Sequence, residues 1–320
     1  MSPGRSRETL RVPRFVSREA GDGWSDGANG TKVAPRPRGL ARVVPLPALA
    51  LVLVAACTHA AWNFMAKGAA ASRHFVWLYS VVAVVLWLPA LWILPLPAFS
   101  PMVGVALCGT AVLHLAYSLA LQAAYRAADL SVVYPMVRGT GPLLSFIGAA
   151  VVLGERPSAL STAGALAVVA GVFLLAGGRV ARSALGVGLG TGALVAAYTL
   201  WDGWAVKTLL VAPILVDLSG NALRVLALGP RALRERHTLA PELRTHWRAV
   251  LAVAVLGPLG YILVLNAMQL APVGQVAPAR ELSMLLAAWL GARVLDEGQL
   301  GRRLAASAVI VVGVVALALG

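Results

Sequence analysis

This chain is short of charge. Only 12% of its 320 residues are Asp, Glu, Lys or Arg, about half the roughly 25% of a soluble globular domain. Acidic residues are scarcer still, 13 against 27 basic ones. An ordinary soluble enzyme does not fit this composition. Disorder over most of the length does not fit either, because it needs low hydrophobicity and high charge.

Cysteine is confined to Cys57 and Cys108, both inside apolar runs. Two cysteines make neither a disulfide framework nor a metal-binding spacing. Cys57 ends the stretch Val54 to Cys57, a loose imitation of a lipoprotein cleavage site, but the preceding tail is too long for a signal peptide's charged region. The five histidines are scattered without zinc spacing. No glycine-rich loop ends in Lys-Ser/Thr, and no G-x-S-x-G elbow is present. The expectation is therefore no metal, no cofactor and no enzymatic activity.

What the chain does have is apolar length. Hydrophobic residues make up 59% and the mean hydropathy is +0.80. A bilayer crossing takes about 20 apolar residues, so ten crossings with short loops fit. The apolar runs are 43–66, 75–95, 102–125, 130–153, 158–177, 184–206, 211–229, 248–270, 273–295 and 302–319. The one long connection, Pro230 to Trp247, is rich in Arg, Glu and His and reads as a solvated loop with at most a short surface helix. Trp77, Trp87, Trp92 and Trp247 fall near run ends, as an aromatic belt would. The net charge of +14 sits in a leading tail and in short loops. That placement suits anionic lipid head groups and gives no reason to expect nucleic acid. Residues 1–42, with nine Lys/Arg and few aliphatics, read as a disordered tail.

The two halves of the remainder echo each other. "YPMVRGTGPLLSFIGAAVVLGERP" (134–157) resembles "APARELSMLLAAWLGARVLDEGQ" (277–299). With one residue deleted, Arg138 falls on Arg280, Glu155 on Glu297, Gly171 on Gly313 and Pro135 on Pro278. "AAWNFMAK" (60–67) echoes "TLWDGWAVK" (199–207). The halves are 43–180 and 181–320, five crossings each. An odd number puts the second half into the membrane the other way up, the inverted repeat of many secondary transporters. Positive charge near the run ends leans towards both termini outside, whereas the basic tail leans the other way, so orientation stays open.

Ionisable groups at membrane depth are costly and default to functional candidates. Arg138 lies about 12 Å into its run at 1.5 Å per residue, and Arg280 holds the matching place. Each follows a proline. Pro135 and Pro278 free the carbonyls of Ser131 and Gly274, which predicts a helix break with a gating role at both. Carbonyls and guanidinium groups together suit an anionic or zwitterionic solute; structural pairing with backbone is the alternative. Glu281 adjoins Arg280 but does not face it on a helix, and is the candidate carrier of a coupling proton. His59, Asn63 and Lys67 form a polar stripe beside Trp62. His114, Tyr117 and Ser118 form another, as do Tyr198, Trp201 and Asp202, and Asp217, Asn221 and Arg224. His59, Asn63, Tyr117, Tyr134 and Trp201 are the candidates for shaping a solute site around the arginines. Glu155 and Glu297 stand where one crossing ends and the next begins, and read as structural helix caps.

"HAAWNFMAK" (59–67), "AADLSVVYPMVRGTGPLLSFIGAAVVLGERPS" (127–158) and "LAPVGQVAPARELSMLLAAWLGARVLDEG" (270–298) resemble EamA-type transporters of the drug/metabolite transporter superfamily. The likeness covers 43–320. It implies an all-α membrane protein of ten transmembrane helices, built as two inverted five-helix EamA repeats. It further implies export of small metabolites, amino acids or drugs by alternating access across a bacterial inner membrane. The family's first-repeat signature falls on Asp129, Tyr134, Pro135, Arg138 and Glu155. In the second repeat Pro272 replaces the Asp and Ala277 the Tyr. The expected partners are a small-molecule solute and the lipid bilayer, with oligomeric state open. A membrane receptor or scaffold that moves no solute is the alternative reading.

Overall fold

A computed structural model describes residues 43–320 apart from 67, 70–71, 94–99, 128–129, 177–181 and 286–299. Within residues 1–42 it describes an antiparallel pair, β1 (Ser25–Asp26) with β2 (Lys32–Val33). Met1–Leu40 and Ala41–Gly320 are two separate units. The reading of 1–42 as disordered otherwise lies outside the described residues.

The second unit is helical. Its elements are α1 (Leu46–Ala66), α2 (Phe75–Trp87) with a 3-10 extension over Leu88–Trp92, α3 (Pro101–Ala127), α4 (Leu130–Val151) and α5 (Ala159–Ala176). Then follow α6 (Arg182–Thr208), α7 (Pro213–Arg234), α8 (Arg236–Leu270), the short α9 (Val273–Ala279) and α10 (Leu300–Leu319). Helical backbone also resumes at 282–285.

Among the described residues, Leu46–Ala66, Phe75–Trp92, Pro101–Ala124 and Arg236–Leu270 are long and apolar enough to cross a bilayer. Three shorter apolar helices lie within α4, α5 and α10. Large apolar side chains stand outside on nearly every helix; Leu46, Ile93, Val151 and Leu226 are each at least 70% exposed. Water tolerates no contiguous apolar surface of that extent, so lipid is the solvent these faces suit. The aromatic belt is only partly apparent. Trp92 and Trp247 are exposed, but Trp77 and Trp87 donate their indole N–H groups inward, to the carbonyls of Val225 and Ala254.

The stretch expected to be a loop is helical. α7 runs to Arg234 and α8 starts at Arg236, with only Glu235 between them. Arg, Glu, Leu and Ala are good helix formers, and tertiary bonds fix the turn. His74, at the start of α2, meets Glu235 through Nε2 at 3.1 Å and Glu242 through Nδ1 at 3.0 Å. Ser72 and the His74 backbone N–H also donate to Glu242, and Arg73 pairs with Glu235 at 3.0 Å. At about 1.5 Å per residue, the 35 residues of α8 exceed a hydrocarbon core of about 30 Å. Its charged first third therefore stands clear of the apolar part.

Small residues set the closest helix contacts. A Cβ at Gly164 would lie 2.6 Å from the carbonyl oxygen of Gly313, and one at Gly313 would lie 2.8 Å from that of Gly164. Only glycine lets α5 and α10 approach so far, which is how helices gain packing where no hydrophobic force drives them together.

Candidate functional site

Two helix ends position the site. α4 closes with Gly154 at φ 67° and the Glu155 N–H bonded to the Ala149 carbonyl at 3.0 Å, a Schellman-type stop. This stop holds the Glu155 carboxylate over the start of α9. Its oxygens accept the backbone N–H groups of Val273 at 2.7 Å and Gly274 at 2.9 Å. Glu155 thus caps a helix, but not the one next to it in sequence. Lys207 joins at 3.6 Å and donates to the Ala271 carbonyl at 2.8 Å. Gln275 ties α9 to α5 through Ser161 at 3.0 Å.

α9 ends after Ala279, about two turns past its cap. Pro278 has no N–H for the Gly274 carbonyl. The chain then turns through Arg280 and Glu281, with tighter bonds from Glu281 N–H to Pro278 and from Ser283 N–H to Arg280. A break therefore occurs near Pro278. None occurs at Pro135, where α4 runs on without interruption. There the proline lies in the second turn and removes a single bond, and the helix continues on both sides. The side chains of Tyr134 and Pro135, and Asp129 and Glu297 altogether, lie outside the described residues.

The break in the second half brings its side chains against α4 and α1. The Arg138 guanidinium reaches Glu281 at 2.8 Å, Ser283 at 2.5 Å and Nε2 of His59 at 3.1 Å. In that last bond the arginine donates, so His59 accepts at an unprotonated Nε2. Glu281 is 1% exposed and Arg280 8%. Glu281 is paired with Arg138 and not with its neighbour. Arg280 makes no side-chain hydrogen bond among the described residues, and its buried Nε has no partner. Its electrostatic neighbours are Tyr198, Glu281, Arg138 and Tyr261. Among the described residues Glu281 forms its ion pair with Arg138, and Arg280 forms none.

A second polar cluster lies between α3, α6 and α8. Asp202, fully buried, accepts from Thr110 at 2.6 Å, from Nε2 of His114 at 2.7 Å, and from the Tyr261 hydroxyl. The Tyr198 ring lies 4.4 Å from that of His114 and 5.3 Å from that of Tyr117. Tyr117 therefore belongs with this cluster. Trp201 faces α3, donating to the Ala106 carbonyl at 2.9 Å with its ring over Gly109. Asn63 donates to the His59 carbonyl within its own helix at 2.7 Å. Of the candidates named from sequence, His59, Arg138 and Glu281 converge, and Arg280 is within electrostatic reach.

No family model matches the chain, and no curated protein does. One solved crystal structure of a protein is similar with a TM-score of 0.67 and 19% identity, over 84% of this chain and 95% of that one. At that identity the likeness shows a shared fold and nothing of function.

Ser283 and Tyr261 were not legible in sequence. Each is a lone polar residue in an apolar run, with no stripe to mark it. The nearest signal for Ser283 was its place one turn beyond Arg280. Tyr261 gave none, because its role depends on α8 meeting α6.

Proposed function

We propose that this chain is a ten-span secondary transporter of the EamA type, built as two inverted five-helix repeats and carrying a small anionic or zwitterionic solute. It performs no enzymatic chemistry and works in a bacterial inner membrane. The observation that carries the reading is Arg280. A guanidinium held out of water, beside an arginine that is paired with Glu281, is one that a carboxylate or phosphate would complement. An isolated charge in such surroundings costs several kcal/mol, and a bound anion removes that penalty.

The helix packing supports the two-repeat arrangement. α1 against α8 is matched by α6 against α3, and α2 against α8 by α7 against α3. The contacts α2–α7, α4–α9 and α5–α10 map onto themselves when the halves are exchanged. The offset that carries Arg138 to Arg280 also carries the Gly164–Gly313 contact onto that between Ala306 and Gly171, where a Cβ would lie 3.1 Å from the Ala306 carbonyl. Alternating access then rests on rocking of one repeat against the other, with the break after Pro278 as a hinge.

The test is flux of an amino-acid and metabolite pool in proteoliposomes, comparing the wild type with Arg280→Met. Movement of one anionic class in the wild type, lost in the variant, supports the reading. Equal flux in both removes Arg280 from the site.

A further inference from the structure

A buried carboxylate with three donors needs an explanation in a chain so short of charge. Asp202 is held by Thr110 and His114 of α3 and by Tyr261 of α8. Buried ion pairs seldom stabilise more than apolar residues of the same size, so fold stability alone does not account for it. We propose that the Asp202–His114 pair is a proton-binding site, distinct from Glu281, and that it supplies the coupling ion of transport.

The chemistry follows from the hydrogen bonds. Thr110 and Tyr261 donate their hydroxyl protons, so both Asp202 oxygens act as acceptors. With Asp202 as a carboxylate, which only accepts, His114 donates from Nε2. Its Nδ1 makes no hydrogen bond among the described residues and is not among the buried unsatisfied atoms. A proton arriving there adds to the Nδ1 lone pair and breaks no bond. The pair goes from one negative charge to none. In a low-dielectric interior that change in charge is a large electrostatic event, which is what a coupling site requires.

The groups facing the pair are on every element around it. Tyr117 lies on α3, Tyr198 on α6 and Tyr261 on α8. On α7, Asp217 lies within electrostatic reach of His114, Asp202 and Arg224. Asn221 connects Asp217 to Arg224, donating to the first at 2.9 Å and accepting from the second at 2.7 Å. Arg280 is in electrostatic reach of Tyr198 and Tyr261. The tyrosine pair thus neighbours both His114 and Arg280, and Tyr261 touches Asp202 directly. Glu281 is the poorer carrier on geometry, because it is already paired with Arg138 at 2.8 Å.

Proton binding is measurable without any solute. The full chain in lightly buffered detergent is titrated from about pH 8 to pH 5, the range in which histidine changes charge. The wild type is expected to take up about one proton per chain more than Asp202→Asn, although that variant keeps all five histidines. Equal uptake in folded wild type and Asp202→Asn overturns the proposal. So does loss of the same proton in Glu281→Gln. Where Asp202→Asn fails to fold, His114→Gln carries the test in proteoliposomes. It is expected to lose accumulation driven by a pH gradient while keeping solute exchange at equal pH; accumulation like the wild type's overturns the proposal. Coupling to solute rests on the transporter reading. A wild type that exchanges no solute counts against that reading, while the proton count still decides the site.

Discussion

The carboxylate of Glu155 accepts the backbone N–H of Val273 at 2.7 Å, across 118 residues of chain. This bond makes the end of α4 the cap of α9, and so fixes the start of the short helix that leads into Arg280. Capping uses the orphan N–H groups of a helix start and the positive end of its dipole. Glu155→Ala is expected to lose about 1–3 kcal/mol, the range for hydrogen bonds to a charged group. Glu155→Gln should lose less, since it keeps an acceptor but not the charge. Denaturant unfolding in micelles measures both, and an unfolding midpoint for Glu155→Ala equal to the wild type's would show the cap to be idle.

Arg138 and Glu281 are expected to behave as one unit. Removing one partner of a buried pair leaves the other unpaired, at a cost of about 3–5 kcal/mol. Arg138→Met should therefore be poorly stable. The double variant Arg138→Met with Glu281→Met should recover most of the loss. A double-mutant cycle with no coupling between the two positions would contradict the pairing.

Gly313 should tolerate no side chain. A Cβ there lies 2.8 Å from both the Gly164 carbonyl and the Val168 backbone nitrogen. Backbone on both sides cannot give as a flexible side chain can. Gly313→Leu is expected to separate α5 from α10 and to lower stability by at least the roughly 1–3 kcal/mol usual for overpacking. Gly186 has open space where a Cβ would stand, so Gly186→Ala serves as the neutral control in the same melt.

The bridge between the α1–α2 connection and the α7–α8 junction should loosen in acid. Burial pushes the Glu242 carboxyl upward. The hydrogen bonds from Ser72 and His74 outweigh it, and the group titrates below its ordinary value near 4.5. A depressed folded value means that the stabilisation is fully present above the ordinary value and is lost as pH falls through the folded one. Proteolysis of the α7–α8 junction should therefore speed up below about pH 4.5 in the wild type. In Glu242→Gln it should be fast at every pH. A variant as protected as the wild type at neutral pH would remove Glu242 from the bridge.

The helices were legible where apolar runs end in prolines or glycines, because length and hydropathy fix a crossing helix without knowledge of its neighbours. The α7–α8 junction was not legible. Its charges read as solvated loop, yet they are helix formers held by His74 from another part of the chain. Glu155 shows the same limit. Its capping chemistry was apparent, but which helix it caps depends on how α4 and α9 pack. Arg138 and Arg280 looked equivalent from the repeat. Only the packed structure pairs Glu281 with Arg138, which leaves Arg280 without an ion pair among the described residues.

That asymmetry is the centre of the account, and one comparison tests it most directly. Arg280→Met and Arg138→Met are purified in parallel, and each is assayed for thermal stability and for anionic solute flux in proteoliposomes. Arg280→Met is expected to melt no lower than the wild type, because it removes an unpaired buried charge, and to lose solute flux. Arg138→Met is expected to melt lower. Wild-type flux in Arg280→Met, or a loss of stability there equal to that in Arg138→Met, would contradict the account.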